Sequence, residues 1–238
     1  MTLEEAIAKI KPLDHNAMEI AQKRWDSIAK PLHSLGKLET LLIQIAGITG
    51  NAEVDLSRRG LIAMCADNGV VEEGVTQTGQ EVTAIVAENF LKYDTSVGVM
   101  CKQNHAEIFP VDMGMVTDTK VRTDHKIAYG TQNMTKGPAM TREQAVKGLE
   151  AGIDMVRELN DKGYRILATG EMGIGNTTTS SAVASVLLKQ PVEEMTGFDQ
   201  FYDAYKTQMN YFISLMVNAD NSIDMAHARR CPLPISPP

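Results

Sequence analysis

Apolar positions recur at helical spacing over residues 3–10 and again over residues 17–28. Lys30-Pro31 stops the second run, because proline brings no backbone N–H and its ring collides with the preceding turn. A third run follows Ser34: Leu38, Leu41, Leu42 and Ile45 make one stripe, and Gly47 marks its expected end. The period then changes. Gly60-Leu61-Ile62-Ala63-Met64-Cys65-Ala66 is short and apolar throughout, which predicts a buried strand, and Asp67-Asn68-Gly69 predicts the loop after it. Residues 81–91 read as the next helix, and residues 106–114 as a strand with its turn. Residues 142–160 form a strongly amphipathic helix, entered through Thr141 with Gln144 three residues on, the pattern of a capping box. A strand over 164–169, a loop over 170–179 and a helix over 180–188 follow.

Strand and helix thus alternate from residue 60 to residue 188. That order predicts an α/β fold, an open parallel sheet with helices on both faces in the Rossmann-like manner. The segment 1–50 is all helical and is expected to belong to a small second domain. The nucleotide-binding α/β domain spans 51–197, and 198–238 is a separate tail. Pro232, Pro234, Pro237 and Pro238 exclude a helix or central strand at its tip.

Composition narrows the function classes. The chain has 238 residues, 43% hydrophobic and 22% charged, with a net charge of −7. A broad nucleic-acid surface does not fit that charge. No apolar run approaches the roughly 18 residues that a membrane span needs. Cys65, Cys101 and Cys231 are far apart, and the five histidines have no ligand spacing, so a structural metal is not expected and a reducing, cytoplasmic setting is.

The stretch richest in chemistry is Gly170-Glu171-Met172-Gly173-Ile174-Gly175-Asn176-Thr177-Thr178-Thr179. Glycines between a strand and a helix let backbone N–H groups and the positive helix end meet an anion. It is close to a P-loop, but Asn176 stands where the lysine belongs, and Thr178 occupies the third glycine position of a dinucleotide fingerprint. Glu171 would repel a polyphosphate and suits a monophosphate that also carries a polar or cationic ring. A tight turn with no ligand is the plainer alternative. The loop after the first strand offers Asp67, Asn68, Thr76 and Gln80 to a heterocycle, or else is a surface loop capped by Thr78 or Thr83. Residues 129–141 read as a connector made locally basic by Lys136, and residues 24–39 as a helix–loop–helix.

Five motifs in one order give a resemblance. Lys30-Pro31-Leu32-His33-Ser34-Leu35-Gly36-Lys37-Leu38-Glu39, Ala66-Asp67-Asn68-Gly69-Val70 with Glu73-Gly74-Val75, Gln80-Glu81-Val82-Thr83, and Gly130-Thr131-Gln132-Asn133-Met134 with Gly137-Pro138-Ala139-Met140 lead to the glycine loop. Together they resemble the nicotinate-nucleotide–dimethylbenzimidazole phosphoribosyltransferases, which make the lower-ligand nucleotide of cobalamin. His33 and Asn68 depart from the glycine and histidine usual there. The resemblance implies transfer of phosphoribose from nicotinate mononucleotide to 5,6-dimethylbenzimidazole with no metal or organic cofactor, and a homodimer. It places Gly173, Gly175, Asn176 and Thr177 in the nucleotide site, with amides around Ile174 on the 5′-phosphate. Glu171 lies beside the reacting rings in a supporting catalytic role. Asp67, Thr78, Gln80 and Val86 contact substrate, the loop from Thr76 to Val86 lining the benzimidazole slot.

The resemblance stops near Gly197. Family chains continue well beyond, and a late glutamate regarded as the general base has no counterpart here. A frameshift or truncation near Gly197 accounts for this and predicts weak or absent transfer and an unpaired sheet edge. The alternatives are a non-catalytic mononucleotide-binding remnant, or a relative that uses another lower-ligand base.

Overall fold

The computed structural model describes residues 1–196; the expectations for the tail lie outside the described residues. α1 (Leu3–Ala8) opens with a reciprocal capping box between Thr2 and Glu5. It docks on α6, where the Leu3 amide donates to Glu150 and the Met1 ammonium meets Asp154 at 3.1 Å. α2 (His15–Ser27) starts under an Asp14 cap. α3 (Lys37–Thr49) runs through Gly47 and ends at Gly50, which takes a left-handed φ of 64°. Gly47 is therefore no stop signal. A Cβ there would lie 2.7 Å from the Met18 side chain, so the glycine lets α2 and α3 pack closely, with Ala17, Ala21 and Ala46 also buried.

Three parallel strands follow, β1 (Arg59–Ala66), β2 (Ala106–Gly114) and β3 (Ile166–Met172), in the order β2-β1-β3. Alternate residues of β1 serve opposite faces. Ala63 and Cys65 pack with Ala84, Ala87 and Phe90 of α4 (Glu81–Lys92), and Val97 of α5 (Ser96–Gln103) joins them. Ile62 packs on the other side with Val111, Tyr164, and Met155 and Leu159 of α6 (Arg142–Asp161), the helix entered through the Thr141–Gln144 box. Both faces of the sheet are thus covered by helices. α5, capped by Thr95, carries no long amphipathic pattern and is a helix the sequence did not announce. α7 (Asn176–Leu188) and α8 (Val192–Met195) complete the described chain.

One boundary differs in a way that matters. β3 does not stop at Thr169: Gly170, Glu171 and Met172 stay in register with Ala63, Met64 and Cys65. Pairing with β1 overrides the local glycine signal, and α7 then begins at Asn176. The long loop shrinks to Gly173-Ile174-Gly175. Among the described residues β3 is an outer strand.

The topology fixes where a site can lie. From β1 the chain passes through α4 and α5 to β2; from β2 it returns through α6, across β1, to β3. The winding reverses between β1 and β3. Loops leaving the carboxyl ends of two such strands part to opposite faces and leave a crevice.

Candidate functional site

The crevice is built on the corner between β3 and α7. Gly173 is required sterically, because a Cβ would sit 2.2 Å from the Ala66 carbonyl oxygen. Gly175 has φ 86°, a conformation that L side chains rarely adopt. Ile174, between them, is held at both of its backbone groups. Its N–H donates to Thr83 Oγ1 at 3.0 Å, and its carbonyl accepts from Asn68 Nδ2 at 3.1 Å. The Asn176 N–H turns back to the Gly173 carbonyl at 3.0 Å. Of the amides around Ile174 that were expected on a phosphate, that of Ile174 itself is taken by the protein. The amides of Gly175, Thr177 and Thr178 have no hydrogen-bond partner among the described residues, and they stand at the positive end of a 13-residue helix. The unpaired amides thus lie at the start of α7.

Glu171, next to last in β3, lies beside these amides, and Asn176 Nδ2 donates to its Oε2. The residue keeps a solvent-exposed side, yet the protein around its carboxyl strips much of its hydration. That desolvation pushes its pKa up to about 7, against a smaller opposing pull from Asn176. A carboxyl poised there can carry or release a proton near neutral pH.

The other expected contacts divide sharply. Asp67 is fully buried: Oδ2 accepts from the Val116 amide at 2.8 Å, and its backbone carbonyl accepts from the Thr131 amide at 3.0 Å. It ties loops together rather than meeting a heterocycle. Val86, on α4, is partly buried and packs against the core cluster. Thr78 is exposed, and its carbonyl accepts from Thr76 Oγ1 at 2.8 Å. Neither Thr78 nor Thr83 caps α4, since the Thr83 hydroxyl holds Ile174 instead. Gln80 does border a cavity, of about 360 Å³, with Val71, Val116 and Tyr129 as its apolar walls. This cavity adjoins the glycine corner, because a Cβ on Gly175 would lie 3.0 Å from Val71 Cγ2.

Residues 129–141 are more than a connector. Thr131 Oγ1 accepts from the Gly69 amide at 3.0 Å, and a Cβ on Gly69 would lie 2.5 Å from the Thr131 carbonyl. Buried Asn133 donates to Glu73 at 2.6 Å, and Lys136 pairs with Glu72 at 2.7 Å. Hydrogen bonds from Lys136 and Asn133 hold Glu72 below the usual carboxylate range, and those from Asn133 and Thr135 do the same for Glu73. Lys136 is thereby tied to the carboxylates of Glu72 and Glu73. Thr131 and Asn133 thus join the cavity wall. Their sequence signal was their place in the Gly130–Met134 motif, whose Gly130 has φ 85°.

Residues 24–39 close the α2–α3 turn. Glu39, 2% exposed, accepts from the Leu35 amide at 3.0 Å and pairs with Lys30 at 2.9 Å. Among the described residues no group of His, Cys, Asp and Glu could hold a metal ion, and no helix is long and apolar enough to cross a membrane. Burial, with Asp112 nearby, pushes the Cys65 thiol up to about 12, which leaves it unreactive.

A phosphoribosyltransferase family model matches residues 10–210, so the match runs past Gly197. The nicotinate-nucleotide–dimethylbenzimidazole phosphoribosyltransferase of Ruminiclostridium cellulolyticum is 50% identical over 199 residues, covering 83% of this chain and 56% of the relative. That of Clostridium perfringens strain 13 is 41% identical over 231 residues, covering 94% and 64%. A crystal structure of the same enzyme from Thermus thermophilus superposes with a TM-score of 0.71 at 33% identity, covering 81% of this chain and 59% of the other. The chain spans a little over half the length of the curated relatives it matches. On these grounds it belongs to the nicotinate-nucleotide–dimethylbenzimidazole phosphoribosyltransferase family.

Proposed function

We propose that the protein transfers phosphoribose from nicotinate mononucleotide to 5,6-dimethylbenzimidazole, releasing nicotinate and α-ribazole 5′-phosphate in the assembly of the cobalamin nucleotide loop. One observation carries the reading: a titratable carboxyl, Glu171, stands beside the open amides of Gly175, Thr177 and Thr178 at the β1–β3 switch. The amides suit a single phosphate. The bond from ribose C1′ to the pyridinium nitrogen breaks, and its electron pair neutralises the ring, so nicotinate leaves without a general acid. A benzimidazole nitrogen forms the new bond to C1′, and the N–H proton passes to a base. Catalysis then consists chiefly in aligning two rings across one carbon. Gly173 and Gly175 shape the phosphate edge, Thr177 supplies an amide, and Asn176 orients Glu171 beside the rings. The cavity at Gln80 is the candidate slot for the second heterocycle. In this scheme no metal or organic cofactor takes part, and the enzyme acts in the cytoplasm as a homodimer, a state the resemblance implies.

The chain as it stands is incubated with both substrates, and α-ribazole 5′-phosphate is sought by mass spectrometry, with calorimetric titration of nicotinate mononucleotide in parallel. Product supports the proposal. Binding without product favours a mononucleotide-binding protein, and product only with another base identifies a relative of different lower-ligand choice. Neither binding nor product overturns all three.

A further inference from the structure

We propose that Asn68 is a positioning residue: its side-chain amide locks the Ile174 peptide to the first turn of α7, and so fixes the amides that face the anion. The proposal rests on the nucleotide reading above. Asn68 precedes the 3-10 turn Gly69–Glu73, in extended backbone (φ −108°, ψ 120°). An asparagine there ordinarily caps its own turn. This one makes no such bond. Its amide reaches across to the other strand's loop instead, where Nδ2 donates to the Ile174 carbonyl at 3.1 Å and Oδ1 accepts at 3.2 Å from Thr179 Oγ1, whose one proton it shares with the Asn176 carbonyl at 3.0 Å. Its backbone carbonyl accepts from Gln80 Nε2 at 3.1 Å, at the cavity wall.

The corner needs such a lock. Two glycines flank Ile174, and glycine gives the chain a wide choice of backbone conformations. Thr83, on α4, holds the N–H of Ile174, and Asn68, after β1, holds its carbonyl. The two peptide units that meet at Ile174 are thus gripped by two elements, while the Gly175, Thr177 and Thr178 amides keep no hydrogen-bond partner among the described residues. The lock requires a donor and an acceptor on one rigid plane. An amide offers both, a carboxylate only accepts, and a neutral imidazole offers one of each.

Asn68→Ala, Asn68→Asp, Asn68→His and Thr179→Val are compared with the unaltered chain at pH 8. Ligand-free hydrogen exchange is read at Ile174 and in α6 at Met155 and Leu159, and nicotinate mononucleotide is titrated calorimetrically. In Asn68→Ala and Asn68→Asp, exchange at Ile174 quickens about tenfold or more while α6 is unchanged. Affinity falls about tenfold in the same two variants. Asn68→His restores both, and Thr179→Val shows a smaller local effect. Unchanged exchange at Ile174 overturns the proposal. Equal quickening in α6 overturns it too, as the mark of a general stabilising role, and so does full affinity in Asn68→Ala. If the Ala and Asp variants do not fold, local quickening in Thr179→Val supports the lock and its absence overturns it. If the unaltered chain binds no nicotinate mononucleotide, the nucleotide reading fails, and the exchange comparison still decides whether Asn68 locks the corner.

Discussion

Glu171, next to last in β3, accepts a hydrogen bond from Asn176 at the first position of α7, so one side-chain pair spans the glycine corner. Burial, against a smaller pull from Asn176, sets the proton balance of Glu171. Burial raises the Glu171 carboxyl from 4.5 to about 7, so between those values the folded chain holds a proton that the unfolded chain has released. Stability from this group is present below the lower value and is lost as pH rises to the upper one. Glu171→Gln removes the slope while keeping an acceptor for Asn176. Thermal unfolding at pH 5 and pH 8 should show the variant gaining on the unaltered chain at the higher pH. If Glu171 supports the rings, the variant also lowers turnover or nucleotide binding.

Glu39 should show the opposite sign. Lys30 and the Leu35 amide hold its carboxyl below the ordinary 4.5. Its stabilising contribution is present above that value and is lost as pH falls through the depressed one. Glu39→Gln is expected to be less stable than the unaltered chain at pH 7, and the gap should narrow in acid. Circular dichroism melts at pH 7 and pH 3 make the comparison.

Thr83 is fully buried, and its hydroxyl is the acceptor for the Ile174 amide. Thr83→Val keeps the shape and leaves that donor unpaired. A loss of about 1–3 kcal/mol is expected in urea unfolding. Nicotinate mononucleotide binding should weaken as well, because the freed peptide no longer fixes the corner.

Gly173→Ala places a methyl 2.2 Å from the Ala66 carbonyl, and backbone cannot yield as a side chain does. Forcing it in should cost about 1–3 kcal/mol. Gly74→Ala is the useful contrast: its φ of 70° is also left-handed, but nothing lies within 4 Å of the added methyl. Denaturant titrations should show both variants destabilised, with nucleotide binding impaired only at Gly173.

The unpaired edge of β3 leads to a further expectation. Among the described residues no strand pairs with its outer side, and Ala168 and Thr169 are exposed. Open strand edges template association. Sedimentation velocity should show mass rising with concentration, and Thr169→Lys should reduce it.

Periodicity and punctuation by themselves determined the alternation of strand and helix, the capping box of α6 and a glycine corner between a strand and a helix, because these depend on residues a few positions apart. The limits of β3 and α3 were settled by tertiary contact: pairing with β1 carried the strand through Gly170, and packing on Met18 carried the helix through Gly47. The site was divided in the same way. Ile174 meets Thr83 across 91 positions and Asn68 across 106, so which amides remain open could not be read from the loop alone. Asp67 and Val86 are chemically fit for a binding loop, but the fold buried the first and packed the second against the core, and it brought Thr131 and Asn133 from an apparent connector to the cavity wall. Local sequence records what a segment can do. Burial and distant hydrogen bonds choose which of those capacities reach solvent.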